Sequence, residues 1–133
     1  MSNDSNSNSP LDKLNARIEK TLDSSRTEAA EKRHNKGYRT ARENLEDLCD
    51  DNSFIEYGQL AVAAQRKRRS LDDLQTKTAA DGVITGLASI NADLFGADRS
   101  QVAVVVNDYS VLAGAQGFFP HKKLDRLIAL AEK

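Results

Sequence analysis

ADGVITGLASIN (residues 80–91) and QVAVVVNDYSVLAGAQG (residues 101–117), followed by HKKLDRLIALAEK (residues 121–133), read as strand, strand, glycine-containing turn and amphipathic helix. In the first strand one alternate set is Val83, Thr85, Leu87 and Ser89, and the other is Ile84, Gly86, Ala88 and Ile90. The second set is apolar but small, which suits a strand approached closely by another backbone. Val102 to Val106 is apolar on both faces and predicts an interior strand covered on both sides. Asn107-Asp108-Tyr109 ends it. Gly114 and Gly117 then permit backbone conformations or approaches that a side chain would block. Pro120 suits a first helical turn, and Leu124, Leu127, Ile128 and Ala131 are the expected core face of that helix. No second strand–helix unit follows for the valine strand to lie beside, so the segment reads as the opening module of a larger α/β fold, with a free strand edge as an aggregation hazard.

Upstream, Leu11, Leu14, Ile18 and Leu22 recur at three- and four-residue steps and predict a helix whose stripe fades towards a stop at Gly37. Thr40-Ala41-Arg42-Glu43 is a capping-box signature opening a second helix, with Ala41, Leu45 and Leu48 on its buried face. Ser53 to Tyr57 is expected to be extended. Gln59 to Gln65 is small and apolar, and Ser70-Leu71-Asp72-Asp73 opens a further short helix.

Composition narrows the function classes. The chain has 133 residues, a net charge of −1, one cysteine and no tryptophan. A near-neutral balance gives no bulk attraction for nucleic acid or anionic membrane. The single Cys49 excludes an intramolecular disulfide and any cysteine-based zinc site. No apolar run reaches spanning length, and the Ser/Asn-rich start lacks the features of a signal or transit peptide. Residues 1 to 10 are therefore expected to be a disordered polar tail, residues 11 to 133 the folded part, and the protein cytoplasmic.

Two charge clusters stand out. Lys32, Arg33, His34, Lys36, Arg39 and Arg42 surround a helix–turn–helix junction and could hold phosphates. The interleaved Glu28, Glu31 and Glu43 equally suit a solvated charged surface. Arg66 to Arg69 could be a nucleic-acid patch, but no aromatics interleave with it and Asp72 and Asp73 follow at once, favouring salt-bridged surface. His34 and His121 have no partners at metal-ligand spacing. Cys49 and Ser110 are possible nucleophiles without a supporting signature, and Tyr109 and Asp108 stand at a strand end.

Taken in order, these segments resemble a known family. KGYRTARENLEDLCDDNSFIEYG resembles the start of the carboxyltransferase domain of biotin-dependent acyl-CoA carboxylases, whose opening helix carries Lys-Gly-x-x-x-Ala-Arg-Glu before an acidic turn and Ser-Phe-x-Glu. DGVITGLASIN resembles its Asp-Gly strand ending in Ile/Val-Asn. VVVNDYSVLAGAQG and the helix after it resemble its Asp-(Tyr/Phe)-(Thr/Ser)-Val-x-x-Gly segment. RKRRSLDDLQTKTAADG is similar to a linker of the long single-chain carboxylases. The resemblance covers residues 32 to 133, with Lys36, Gly37, Ala41, Arg42 and Glu43 at motif positions.

The resemblance implies an α/β fold, an incomplete crotonase-like (ββα) unit preceded by two or three helices. It implies transfer of a carboxyl group from carboxybiotin to the α-carbon of an acyl-CoA, through an enolate held by backbone N–H donors. The glycine-rich loops that supply those donors in the family are not in this chain, so no catalytic residue is assigned and the piece is expected to be inactive alone. Biotin would arrive on a partner domain or subunit and none is bound covalently here. The implied partners are acyl-CoA, the biotin carboxyl carrier and biotin carboxylase components, and further copies in a homo-oligomer, with no nucleic acid, membrane or metal. Lys36, Arg39, Arg42, Gly114 and Gly117 are the implied CoA-binding residues, Arg39 by proximity alone. The alternatives are a non-catalytic assembly paralogue and, resting on Arg66 to Arg69, a basic nucleic-acid module.

Overall fold

The structure, a computed structural model, describes residues 9–133. The expected tail lies outside the described residues as far as residue 8. Ser9 and Pro10 belong to the first helix, α1 (Pro10–Glu19), where Ser9 and Asp12 exchange capping bonds. This helix stops well short of Gly37. Thr21 turns the chain: its hydroxyl donates to the Ile18 carbonyl and accepts from Gln59. A single 3₁₀ turn (Asp23–Ser25) leads into α2 (Thr27–His34). The predicted stripe is thus cut in two, and Leu11 and Leu14 remain exposed.

The remaining order is α3 (Ala41–Leu48), β1 (Ile55–Tyr57), α4 (Leu71–Lys77), β2 (Val83–Ser89), α5 (Ala92–Phe95), β3 (Gln101–Asn107) and α6 (Phe118–Ala131). Thr40 caps α3 by accepting the Glu43 N–H, and Ser70 caps α4 in the same way through Asp73. The short helix α5 occupies what reads in the sequence as plain loop.

The three strands form one antiparallel sheet in the order β1-β2-β3. Ala41 and Leu45 of α3, with Cys49 just after it, cover one face, against Ile84, Ala88 and Val104, with Phe54, Val102 and Val106 at the margin. The other face meets α6 through Leu127 near Thr85. Burial, with the Asp50 charge adding to it, pushes the Cys49 thiol pKa up.

The small residue expected on β2 has a definite reason. A Cβ on Gly86 would lie 2.2 Å from the Ile55 carbonyl oxygen and 2.6 Å from the Phe54 ring. Only a hydrogen there lets β1 reach β2.

Two expectations fail. β3 is not covered on both sides: it lies beside β2 at the sheet margin, Val104 is buried, and Gln101, Ala103, Val105 and Asn107 are exposed. Among the described residues its other edge has no strand partner, and an edge strand needs only one covered face. On α6, Leu127 is buried and Leu124 half-buried, but Ile128 and Ala131 point outward, because the inward row runs through Lys123, Leu127 and Leu130 at steps of four and three.

Lys123 explains that rotation. Ala80, Asp81 and Gly82 all have positive φ (52°, 48° and 73°). Lys123 Nζ donates to the carbonyls of Ala80 and Val83, the latter at 2.7 Å. It thereby ties both ends of the left-handed turn to α6. Burial pushes the Lys123 pKa down to about 8, against the favourable fields of Glu56 and Asp81 and with the unfavourable one of Arg42. Burial also raises the Asp81 pKa, with Lys123 opposing.

Two outcomes check this architecture. Gly86→Val is expected to destabilise the chain by about 3 kcal/mol, read from urea midpoints. Gly117→Ala, with open space around it, should stay within about 0.5 kcal/mol of wild type. For Lys123, an unfolded lysine keeps its proton to about 10.4, whereas the folded one releases it near 8. Between those values the unfolded chain binds more protons, so this group makes stability rise with pH. Urea titrations at pH 7.5, 9 and 10 should show that contribution in wild type and its loss in Lys123→Met.

Candidate functional site

The residues that sequence reading groups around the α2–α3 junction are set apart by the turn between the two helices. Gly37, at φ 77°, turns the chain after α2, with the Gly37 N–H on the His34 carbonyl and the Tyr38 N–H on the Arg33 carbonyl. Lys36 lies just before this turn and lines a cleft of about 690 Å³ between α2, the end of α4 and the loop after β3. Arg39 lies on the outer side, where its guanidinium meets the Asp47 carboxylate at 3.3 Å and the Glu43 carbonyl at 3.4 Å.

Arg42 points inward. Its Nη1 and Nη2 grip both oxygens of Glu56 at 2.9 and 3.1 Å, and its Nε donates to the Thr21 carbonyl at 3.1 Å. The two side chains are only 13% and 7% exposed. All three guanidinium nitrogens are engaged, so Arg42 acts in this arrangement as the joint between α3, β1 and the α1–α2 turn.

The glycines also differ. Gly114 has φ 80° and packs by the Tyr109 ring, 3.4 Å from a notional Cβ. Gly117 has φ −108° and nothing within 4 Å. The tight backbone expected at both positions exists only at Gly114.

Much of the basic cluster is paired with acids. Lys32 bonds Glu28 at 2.7 Å, and His34 Nε2 lies 2.5 Å from the Glu43 carboxylate. The His34 contact is the leading cause holding the Glu43 pKa below the usual carboxylate range. Arg69 and Lys77 share Asp73, lowering its pKa, chiefly through Lys77. Arg66, Lys67 and Arg68 edge a second, more apolar cleft of about 930 Å³ with Leu60, Leu71 and Phe119.

Sequence reading missed Arg26. Its Nη1 meets Asp108 at 2.9 Å and its Nη2 meets Ser110 at 3.1 Å, while Asp108 also takes the Ser110 hydroxyl at 2.6 Å. This pair is nearly as buried as Arg42–Glu56. Asp108 and Ser110 are thereby locked by α2's leading residue, which gives the strand-end acid a structural task. No local pattern marks a pair separated by 82 residues; the only signal was an acid directly after an apolar strand. Nor do the described residues contain a group of three or more His, Cys, Asp or Glu side chains placed to hold a metal ion. Among the described residues, no helix is long and apolar enough to cross a membrane.

Breaking one side of the inner joint leaves the other charge buried. Arg42→Met is expected to destabilise the chain by about 3–5 kcal/mol. Arg42→Met combined with Glu56→Leu should recover most of that loss in chemical denaturation, which a surface pair would not do.

No protein-family model matches the chain. Among curated proteins it is 34% identical over 123 residues to the biotin-dependent acetyl-/propionyl-coenzyme A carboxylase beta5 subunit of Mycobacterium leprae, covering 92% of this chain and 21% of that protein. It is 31% identical over 105 residues to the propionyl-CoA carboxylase beta chain of Saccharopolyspora erythraea, covering 79% of this chain and 17% of that one. The chain thus spans about a fifth of the length of these relatives. A solved single-chain, multi-domain long-chain acyl-CoA carboxylase superposes with a TM-score of 0.89 at 52% identity, over 92% of this chain and 12% of that one. Transcarboxylase 12S, solved with methylmalonyl-coenzyme A and methylmalonic acid, superposes with a TM-score of 0.70 at 27% identity, over 91% of this chain and 21% of that one. The capped α3, the three-stranded sheet and α6 are thus elements of a crotonase-like fold, and the homologues of the chain are carboxyltransferase subunits of biotin-dependent acyl-CoA carboxylases, one part of which it matches.

Proposed function

We propose that this chain forms one wall of the acyl-CoA site of a carboxyltransferase and does not carry the reaction alone. The observation that carries the reading is the 52% identity and 0.89 TM-score to a long-chain acyl-CoA carboxylase across nearly the whole chain. In the complete reaction a base removes the α-proton of the thioester. Carboxybiotin, carried by a partner domain, would supply the carboxyl group that passes to the α-carbon of the thioester. Backbone N–H donors aimed at the enolate oxygen are the central requirement, and we assign none of them to this chain. Biotin would arrive on a partner domain, with biotin carboxylase as a further component, in a cytoplasmic homo-oligomer.

What this chain offers is binding. Lys36 and Arg39 are the proposed phosphate contacts at the α2–α3 junction. Arg42 supports them by fixing α3 on β1, and Gly114 with Gly117 shape the loop between β3 and α6. A second reading, a non-catalytic assembly paralogue, draws on the exposed Leu11 and Leu14 of α1 and on the margin of β3.

Calorimetry with the 133-residue chain separates the two. Acetyl-CoA, propionyl-CoA and palmitoyl-CoA (the last below its micelle-forming concentration) should give binding heat and a rise in melting temperature. Absence of both at millimolar acetyl- and propionyl-CoA and with palmitoyl-CoA would discard the acyl-CoA reading and leave assembly.

A further inference from the structure

We infer that the free edge of β3 is an association surface for a second copy of this chain, the two β3 strands pairing antiparallel about a two-fold axis at Val104. The inference goes beyond the acyl-CoA reading and does not require the chain to be non-catalytic.

Backbone phase is the first argument. At the two ends of the β2–β3 ladder, the Asp108 N–H donates to the Gly82 carbonyl at 2.8 Å and the Ile90 N–H to the Ser100 carbonyl at 2.9 Å. Bonded and non-bonded pairs alternate along an antiparallel ladder, so Val102, Val104 and Val106 direct their backbone groups to β2. The N–H and C=O groups of Gln101, Ala103, Val105 and Asn107 face the other edge, which has no strand partner among the described residues. Natural edge strands are blunted by charge, proline, bulges or shortness. β3 shows none of these: it runs for seven residues, pairs with β2 without interruption and contains neither a charged residue nor proline.

Sequence symmetry is the second. Gln101-Val102-Ala103-Val104-Val105-Val106-Asn107 reads nearly alike in both directions. With Val104 on the axis, Gln101 of one copy lies opposite Asn107 of the other, Val102 opposite Val106 and Ala103 opposite Val105. This register matches outward residues with outward residues, as the phase requires, and allows about eight hydrogen bonds between copies. Amide meets amide, apolar meets apolar, and no like charges are opposed. Registers centred on Ala103 or Val105 leave Asn107 or Gln101 without a strand residue opposite. Val102 and Val106 lie on the face covered by α3 and are only half-buried, so their pairing would continue that core across the axis.

The flanks are the third. Leu94 and Phe95 of α5, 77% and 62% exposed, lie just before β3, and the exposed Tyr109 and Leu112 lie just after it. Antiparallel pairing sets the start of one β3 beside the end of the other, and with it apolar α5 beside that apolar loop. The pairing is isologous, so it uses both long edges and closes at a dimer; the remaining edge, β1, has only three residues.

Sedimentation velocity on the 133-residue chain over a concentration series should show a monomer–dimer equilibrium. Ala103→Lys with Val105→Lys opposes like charges across the axis and should weaken dimerisation at least about tenfold. Ala103→Lys with Val105→Glu opposes unlike charges in the same register and should stay within about threefold of wild type. Both positions are exposed, and circular dichroism checks that each variant is folded. Hydrogen exchange on wild type needs no variant: the Ala103 and Val105 amides should slow as concentration rises, while the Val104 amide, already bonded to β2, changes little. A wild type monomeric throughout, growth past the dimer into open-ended species, a folded double-lysine variant that dimerises like wild type, loss of the dimer in the lysine–glutamate variant, or Ala103 and Val105 amides that exchange alike in monomer and dimer would each overturn the pairing. Acetyl-CoA calorimetry on the same samples separates the two readings. A monomer that binds acetyl-CoA removes the pairing alone, and a dimer with the expected variant pattern that binds none removes the acyl-CoA reading alone.

Discussion

The bidentate contact between Arg42 and Glu56 holds the rest of the molecule in place. Taking two ions out of water costs several kcal/mol each, about what their attraction returns. Such a pair therefore contributes less to net stability than to choosing one arrangement over others. Here the choice is unambiguous. Arg42 sits on the second residue of α3 and Glu56 at the centre of β1, opposite Gly86. The remaining guanidinium nitrogen reaches Thr21, where the chain turns between α1 and α2. One side chain thus fixes the helix over the sheet, the short strand against its neighbour and the N-terminal helices against both.

The division of the basic residues follows from that anchor. With Arg42 turned inward, residues a few positions earlier must face elsewhere, and Gly37 reverses the chain between them. Lys36 is left on the cleft side, and Arg39 is left outside with Asp47. A charge cluster that is dense in sequence becomes three separate environments, one buried, one screened and one open to a ligand. Only the last retains uncompensated charge.

Much of this fold was legible in the amino-acid sequence. The caps at Thr40 and Ser70, the strands read at 83–90 and 102–106 and found at 83–89 and 101–107, the short extended segment ending at Tyr57 and the small residue at Gly86 are local patterns, and each occurs where its chemistry places it. What stayed hidden depended on distance. The pattern of α6 placed Ile128 on the core face; Lys123 instead turns in, where carbonyls 40 and 43 residues away accept its hydrogen bonds. Valine content could not tell a strand flanked on both sides from one at the sheet's margin, since both tolerate an apolar face. At the candidate site, charge density located the junction, but the identity of the unpaired cations came only from knowing which acids sit opposite the others. Arg26 was invisible for the same reason.

The left-handed turn at residues 80 to 82 has a consequence for biosynthesis. Its carbonyls are satisfied by an amine that leaves the ribosome some forty residues later. Three consecutive residues with positive φ, two of them not glycine, are costly until that donor arrives. The start of β2 is therefore closed by a long-range contact and not by its own neighbours in sequence. A chain that ends before residue 123 would lack the clasp that ties this turn to α6.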